Sequence, residues 1–127
     1  MSLHDDVILR ALTQLVEALL RAAGLRRRKD LPAAEQALGE GLRSLGLPLE
    51  LLGRMDPATL TSLVPEPAKR ALLAAALVEL ARLREVAGRV DEADELRDRA
   101  EVLDASIDMA TLPELVRAAR ERLLTER

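Results

Sequence analysis

Between Lys69 and Ile107 the hydrophobic pattern is that of two helices back to back. The first, Lys69 to Ala87, begins with an apolar run from Ala71 to Val78. The second places Ala93, Leu96, Ala100, Leu103 and Ile107 at steps of three or four, which puts all five on one stripe that has to be buried. Gly88 predicts a left-handed turn residue between them, and Asp91 with Asp94 predicts an N-cap and capping box for the second helix. Upstream, Asp5 or Asp6 is the predicted cap of a helix that runs to Ala23 and stops at Gly24. Ile8, Leu12, Leu15, Leu19 and Ala22 form one stripe on it; Leu9, Val16, Leu20 and Ala23 form another beside it. Asp30 and Pro32 open a second helix that continues through Ala34, Leu38, Leu42 and Leu45 to Gly46. Gly39 and Gly41 inside it each cost about 1 kcal/mol relative to alanine, which predicts close approach of another helix there.

From Leu47 to Pro67, Pro48, Gly53, Pro57, Pro65 and Pro67 exclude one long helix. Two short helical turns are predicted, Leu49 to Arg54 and an Asp56-capped turn to Val64, with Leu51, Leu52, Leu60 and Leu63 covering the hairpins. Thr111 and Glu114 predict a capping box for a last helix striped by Leu112, Leu115, Val116, Ala119 and Leu123. The sum is one all-α domain: a first hairpin over 5–46, a connector over 47–67, a second hairpin over 68–109 and a capping helix over 111–125.

The second hairpin resembles the second half of a tetratricopeptide repeat, a unit of about 34 residues. Ala81, Gly88, Val90, Ala93 and Ala100 fall at the small and turn positions, and Leu77, Leu80 and Leu103 at large apolar ones. Arg84 and Arg97 stand where that family usually carries aromatics, so the match is to a degenerate repeat. A fainter copy lies 59 residues earlier, where Leu31, Ala34 and Gly41 match Val90, Ala93 and Ala100. The order of segments, with its D-D-x-I-L-R helix and G-L-P-L-E-L-L connector, is also similar to a small bacterial family of helical proteins. These resemblances imply a short α-solenoid that binds a partner protein or its own copy. They imply a concave groove on the first helix of the hairpin presenting Val78, Arg82 and Glu85, with Arg89 at its rim.

Composition narrows the chemistry. The 127 residues are 49% hydrophobic and 32% charged, with no cysteine and no Phe, Tyr or Trp. Disulfides and thiolate metal sites are excluded. No segment approaches the roughly 20 apolar residues that span a bilayer, so no membrane partner is expected. His4, Asp5 and Asp6 stand where a signal peptide carries a basic region, and a cytoplasmic protein is the expectation. The net charge of -3 is unevenly spread: residues 91–108 hold eight acids against two arginines, while Arg26, Arg27, Arg28 and Lys29 form one basic run.

No arrangement of nucleophile, base and orienter emerges, so no catalysis and no cofactor are expected. The D-E-A-D at Asp91 to Asp94 copies the letters of a helicase motif, but the phosphate-cradling G-x-x-x-x-G-K-[ST] is absent and the residues open a helix. His4 with Asp5 and Asp6 cannot aim three adjacent side chains at one metal from a helix start. Asp94 and Asp98 belong to a solvated face. The basic run 26–29 could hold phosphates and supports an alternative function, a regulatory module for nucleic acid or another polyanion. Without an aromatic stacking platform, nucleic acid is the less expected partner. The stripe Leu9, Val16, Leu20 and Ala23 is the expected self-association surface, pairing two copies as a homodimer unless the last helix folds over it.

Overall fold

Leucine and alanine stripes become six α-helices in the computed structural model, which describes residues 3–125, with side chains from Asp6 onward. The readings of His4 and Asp5 as cap or metal ligands lie outside the described side chains. The helices are α1 (Leu3–Arg27), α2 (Leu31–Arg43), α3 (Pro57–Leu63), α4 (Pro67–Val86), α5 (Val90–Ala105) and α6 (Glu114–Leu124). Short 3-10 turns lie at Leu49–Leu51 and Met109–Thr111, and no strand occurs among the described residues. None of these helices is long and apolar enough to cross a membrane.

Two hairpins, α1/α2 and α4/α5, make the largest helix contacts. The α4–α5 turn follows the predicted logic. Gly88 takes φ +83, its N–H bonds the Glu85 carbonyl, and Arg89 N–H bonds the Arg84 carbonyl, so two orphan carbonyls at the end of α4 are satisfied. The α1–α2 turn does not form at the predicted place. Gly24 stays helical, α1 runs on to Arg27, and Lys29 takes the left-handed φ of 64 while Asp30 N–H closes onto the Leu25 carbonyl. Glycine is therefore not the reliable stop here; the chain continues until Asp30 can cap α2 through Ala33 N–H at 3.3 Å.

Three other expected caps shift. α1 begins at Leu3, so Asp5 and Asp6 fall inside its first turns. Asp91 falls inside α5, whose cap is Arg89 without a side-chain bond, so Asp91 and Glu92 act on the helix dipole instead. Thr111 bonds back to the Asp108 carbonyl within the 3-10 turn, and α6 starts at Glu114 with Pro113 at its N-cap and no side-chain cap bond. The connector cap holds: Asp56 accepts from Thr59 N–H at 2.7 Å.

α4 is the centre. It packs on α1, α2, α5 and α6, and seven consecutive residues, Ala71 to Leu77, are buried. Small side chains let the neighbours come close. A Cβ on Gly41 of α2 would lie 2.9 Å from the Ala18 Cβ of α1, which is the close approach predicted, whereas one on Gly39 would meet nothing. Leu52 and Leu60 of the connector are fully buried and Leu51 partly so, but Leu63 is exposed.

The first-helix stripe expected to be open is mostly closed within the chain. Val16 and Ala23 are buried and Leu20 is half-buried; only Leu9 is exposed, at 42%. α1 is covered on one side by α2 and on others by α4 and α6, so the C-terminal helix folds back, the competing arrangement.

Beneath α6 lies Glu79, the only buried charged residue among those described. The apolar run of α4 ends there, yet the face continues through Leu72, Ala75, Ala76 and Leu83, so the carboxylate is carried into the core. Arg26 of α1 meets it with Nε at 2.5 Å and Nη2 at 3.4 Å, and Arg82 lies 3.6 Å away one turn on. Arg82 also donates to the Leu123 carbonyl at 2.6 Å, and Arg120 of α6 donates to the Ala71 carbonyl at 2.8 Å while facing Asp104 of α5 at 3.1 Å. These guanidiniums pin α6 across α1, α4 and α5.

Candidate functional site

On the other side of α4 the helices leave a cleft of about 450 Å3. Its floor is Leu80 of α4 and Leu96 of α5, both buried, with Leu49 of the first 3-10 turn half-exposed beside them. One wall is α5 with Glu92, Glu95 and Arg99, which lie on one face at helical steps. The facing wall is Glu35 of α2 and the turn bearing Glu50, Gly53 and Arg54. That volume falls within the range of about 300–1,000 Å3 typical of ligand pockets.

Charges bound the cleft in a specific order. Arg84, one turn after Leu80, reaches Glu35 at 2.9 Å and Glu92 at 3.7 Å, so it bridges α2 and α5 across the floor. Arg89 also pairs with Glu92, at 2.7 Å. At the far end Arg99 donates from Nε to the Met55 carbonyl at 2.8 Å and from Nη2 to the Gly53 carbonyl at 3.1 Å, which fastens the connector turn to α5. Its third bond goes to the backbone carbonyl of Glu95, whose carboxylate makes no ion pair among the described residues. Glu50 and Arg54 likewise make no ion pair among the described residues. Close by, the Thr59 backbone N–H holds the Asp56 carboxyl below its usual value of 3.8, helped by the Thr59 hydroxyl and the charge of Arg99.

The predicted groove residues do not converge. Val78 is half-buried against the core, and Arg82 faces α6, held by Glu79 and the Leu123 carbonyl. Glu85 is exposed and pairs with Arg97 at 2.5 Å. Arg89 alone of the four lines the cleft. Sequence reasoning missed the others because the cleft is made by the connector meeting α4 and α5, as in the Arg99 bonds to Met55 and Gly53 across 44 and 46 positions of the chain. The usable signal was Arg99, an arginine one turn past Leu96 with two broken-helix turns elsewhere in the chain rich in unpaired carbonyls.

The basic run divides in the same way. Arg26 is largely buried on Glu79, while Arg27, Arg28 and Lys29 are exposed at the α1–α2 corner. Asp94 and Asp98 are exposed, with Arg97 3.9 Å from Asp94. No group of three or more metal-ligating side chains gathers among the described residues. Comparisons of the chain with protein-family models, with curated proteins and with solved structures find no match, and the cleft is read from its own residues.

Proposed function

We propose that this chain is a non-catalytic protein-binding module and that the cleft between the 49–56 turn, α2, α4 and α5 receives a segment of another protein or of a second copy. The carrying observation is the pairing of an apolar floor, Leu49, Leu80 and Leu96, with a rim of arginines and glutamates. Such a site rewards burial of an apolar side chain and orients it with polar contacts. The two hairpins α1/α2 and α4/α5 fit the short solenoid implied by the tetratricopeptide resemblance, with α6 as the cap. Arg27, Arg28 and Lys29 support the alternative, a polyanion site at the α1–α2 corner, whose mark is retention on heparin that falls steeply with salt.

A photo-crosslinking side chain at position 54, at the cleft mouth, is compared in native cells with one at position 117, on the outer face of α6. The expected result is a discrete adduct from position 54 only, lost when Leu49→Glu puts a charge on the floor. An adduct of twice the chain mass makes the occupant a second copy. Equal labelling from both positions, or none from position 54, defeats the reading.

A further inference from the structure

We propose that α6 is a detachable cap that lifts off as a unit while the two hairpins stay folded, and that the face it leaves accepts the α6 of a second copy. The apolar hold on this helix is small. Three of its eleven residues, Val116, Ala119 and Leu123, are buried, against eleven of twenty in α4, so lifting α6 exposes far less apolar surface than opening the centre. The stretch leading into α6 is held by its own backbone: Thr111 N–H bonds the Asp108 carbonyl, Leu112 N–H the Met109 carbonyl, and the Asp108 side chain accepts from Ala110 N–H. These bonds travel with the segment when it swings, and of residues 106–113 Leu112 alone is a buried side chain that must be withdrawn.

The rest of the hold is polar. Arg82 donates to the Leu123 carbonyl at 2.6 Å, Arg120 donates to the Ala71 carbonyl at 2.8 Å and faces Asp104 at 3.1 Å, and Glu79 lies beneath with Arg26 and Arg82. Burying charges costs solvation that pairing offsets only in part, and lifting α6 restores that solvation. The α4–α5 contact gains little that way, because the side chains α5 buries are Ala93, Leu96, Ala100 and Leu103. Water therefore favours the opening of α6 over that of the hairpins, which makes it a separate unit of local unfolding. The occupant of the vacated face is read from the helix seated there: aliphatic side chains at 116, 119 and 123, with an arginine at 120 that reaches Ala71 and Asp104. A second copy carries the same helix. The tether holds each chain's own α6 at an effective concentration on the order of millimolar, so exchange shows when that helix is weakened.

The test uses the full chain. In native-state hydrogen exchange at low urea, the amides of 114–124 are expected to exchange through an opening at least about tenfold more populated than the one that exposes α4 and α5. A fluorescein-labelled peptide of residues 112–125 is then titrated against wild type and against Arg120→Ala, with binding followed by fluorescence anisotropy. The variant keeps the Ala71 carbonyl and Asp104 in place but weakens its own α6. The peptide should bind it roughly 10- to 100-fold tighter than wild type, the fold-change that a hydrogen bond from a charged group supplies. A peptide that itself carries Arg120→Ala should lose that gain. Arg117→Ala in the chain, on the outer face of α6, should leave peptide binding at the wild-type level. Amides of 114–124 that exchange only together with those of α4 and α5 overturn the proposal. So do equal binding to wild type and Arg120→Ala, no binding to either, and an Arg120→Ala chain whose hairpins unfold along with α6.

Discussion

Two arginine–glutamate networks flank α4, one built on Glu79 and Arg82 and the other on Arg84. The residue types are the same, and the helix is the same, but α6 closes the first while nothing among the described residues closes the second. Glu79 is 1% exposed and must have its cations, because removing one partner from a buried pair leaves an uncompensated charge in a low-dielectric surrounding. Around the cleft, Glu35 and Glu92 are about half exposed, water screens each pair, and some carboxylates remain unpaired. Burial therefore separates a device that holds the fold from a surface free to meet something else.

The sharpest break of this contrast is Glu79→Ala, expected to cost about 3–5 kcal/mol in urea denaturation. If instead the loss is under about 1 kcal/mol, the pair is solvated and the closed side is not closed. Arg82→Ala should come next, at about 1.5–3 kcal/mol, since a charged donor to the Leu123 carbonyl is lost and α6 loosens. A pair of glycines draws the same line elsewhere: Gly41→Ala drives a methyl to 2.9 Å from Ala18 and should cost about 1–3 kcal/mol, while Gly39→Ala meets open space and should stabilise by about 0.5–1 kcal/mol. Equal and opposite behaviour in thermal melts would reverse the assigned packing of α2 on α1. On the open side Arg84→Ala should change stability by less than about 1 kcal/mol.

The smallest effect is a pH dependence at the connector. Asp56 is depressed below 3.8 by the Thr59 N–H it accepts, so its folded value lies under its unfolded one. A depressed carboxylate contributes stability that is complete above the unfolded value and is lost as pH falls from 3.8 through the lower folded value. Comparing the acid limbs of wild type and Asp56→Ser, whose cap does not titrate, should show the wild type losing its advantage in that window. Parallel curves would mean that the cap does not titrate with folding.

Much of the fold was legible because periodicity fixes which face of a helix is buried. Ala93, Leu96, Ala100 and Leu103 of the stripe are buried as read, while Ile107 lies past the end of α5 and is half-buried, and the Asp30, Asp56 and Gly88 signals stand where the turns are. Gly24 misled because a glycine is only permissive; Arg26 two residues further on gains the buried partner Glu79 if the helix continues, and that gain is tertiary. Asp91 misled for a related reason: with Gly88 setting the turn, α5 starts two residues earlier. Of the site, the sequence yielded only Arg89. A carboxylate interrupting an apolar face, as Glu79 does, announces that a cation must come, but not that the cation is 53 residues away at Arg26. The cleft depends on where the proline-broken connector crosses, and no local pattern encodes a crossing.

The burial of α4 on every side from Ala71 to Leu77 has a mechanical corollary. A helix with neighbours all round has no free face along which to slide, because dense packing resists shear and yields only by discrete repacking. The floor of the cleft is then an anvil of fixed shape. The wall opposite, the 49–56 segment, is held to α5 by two carbonyl bonds from one guanidinium and to the core by Leu52, which is fully buried. Exchanging those two bonds for water frees only the stretch around Gly53 to Met55, because Leu52 stays anchored in the core, so any give in the cleft is confined to that turn.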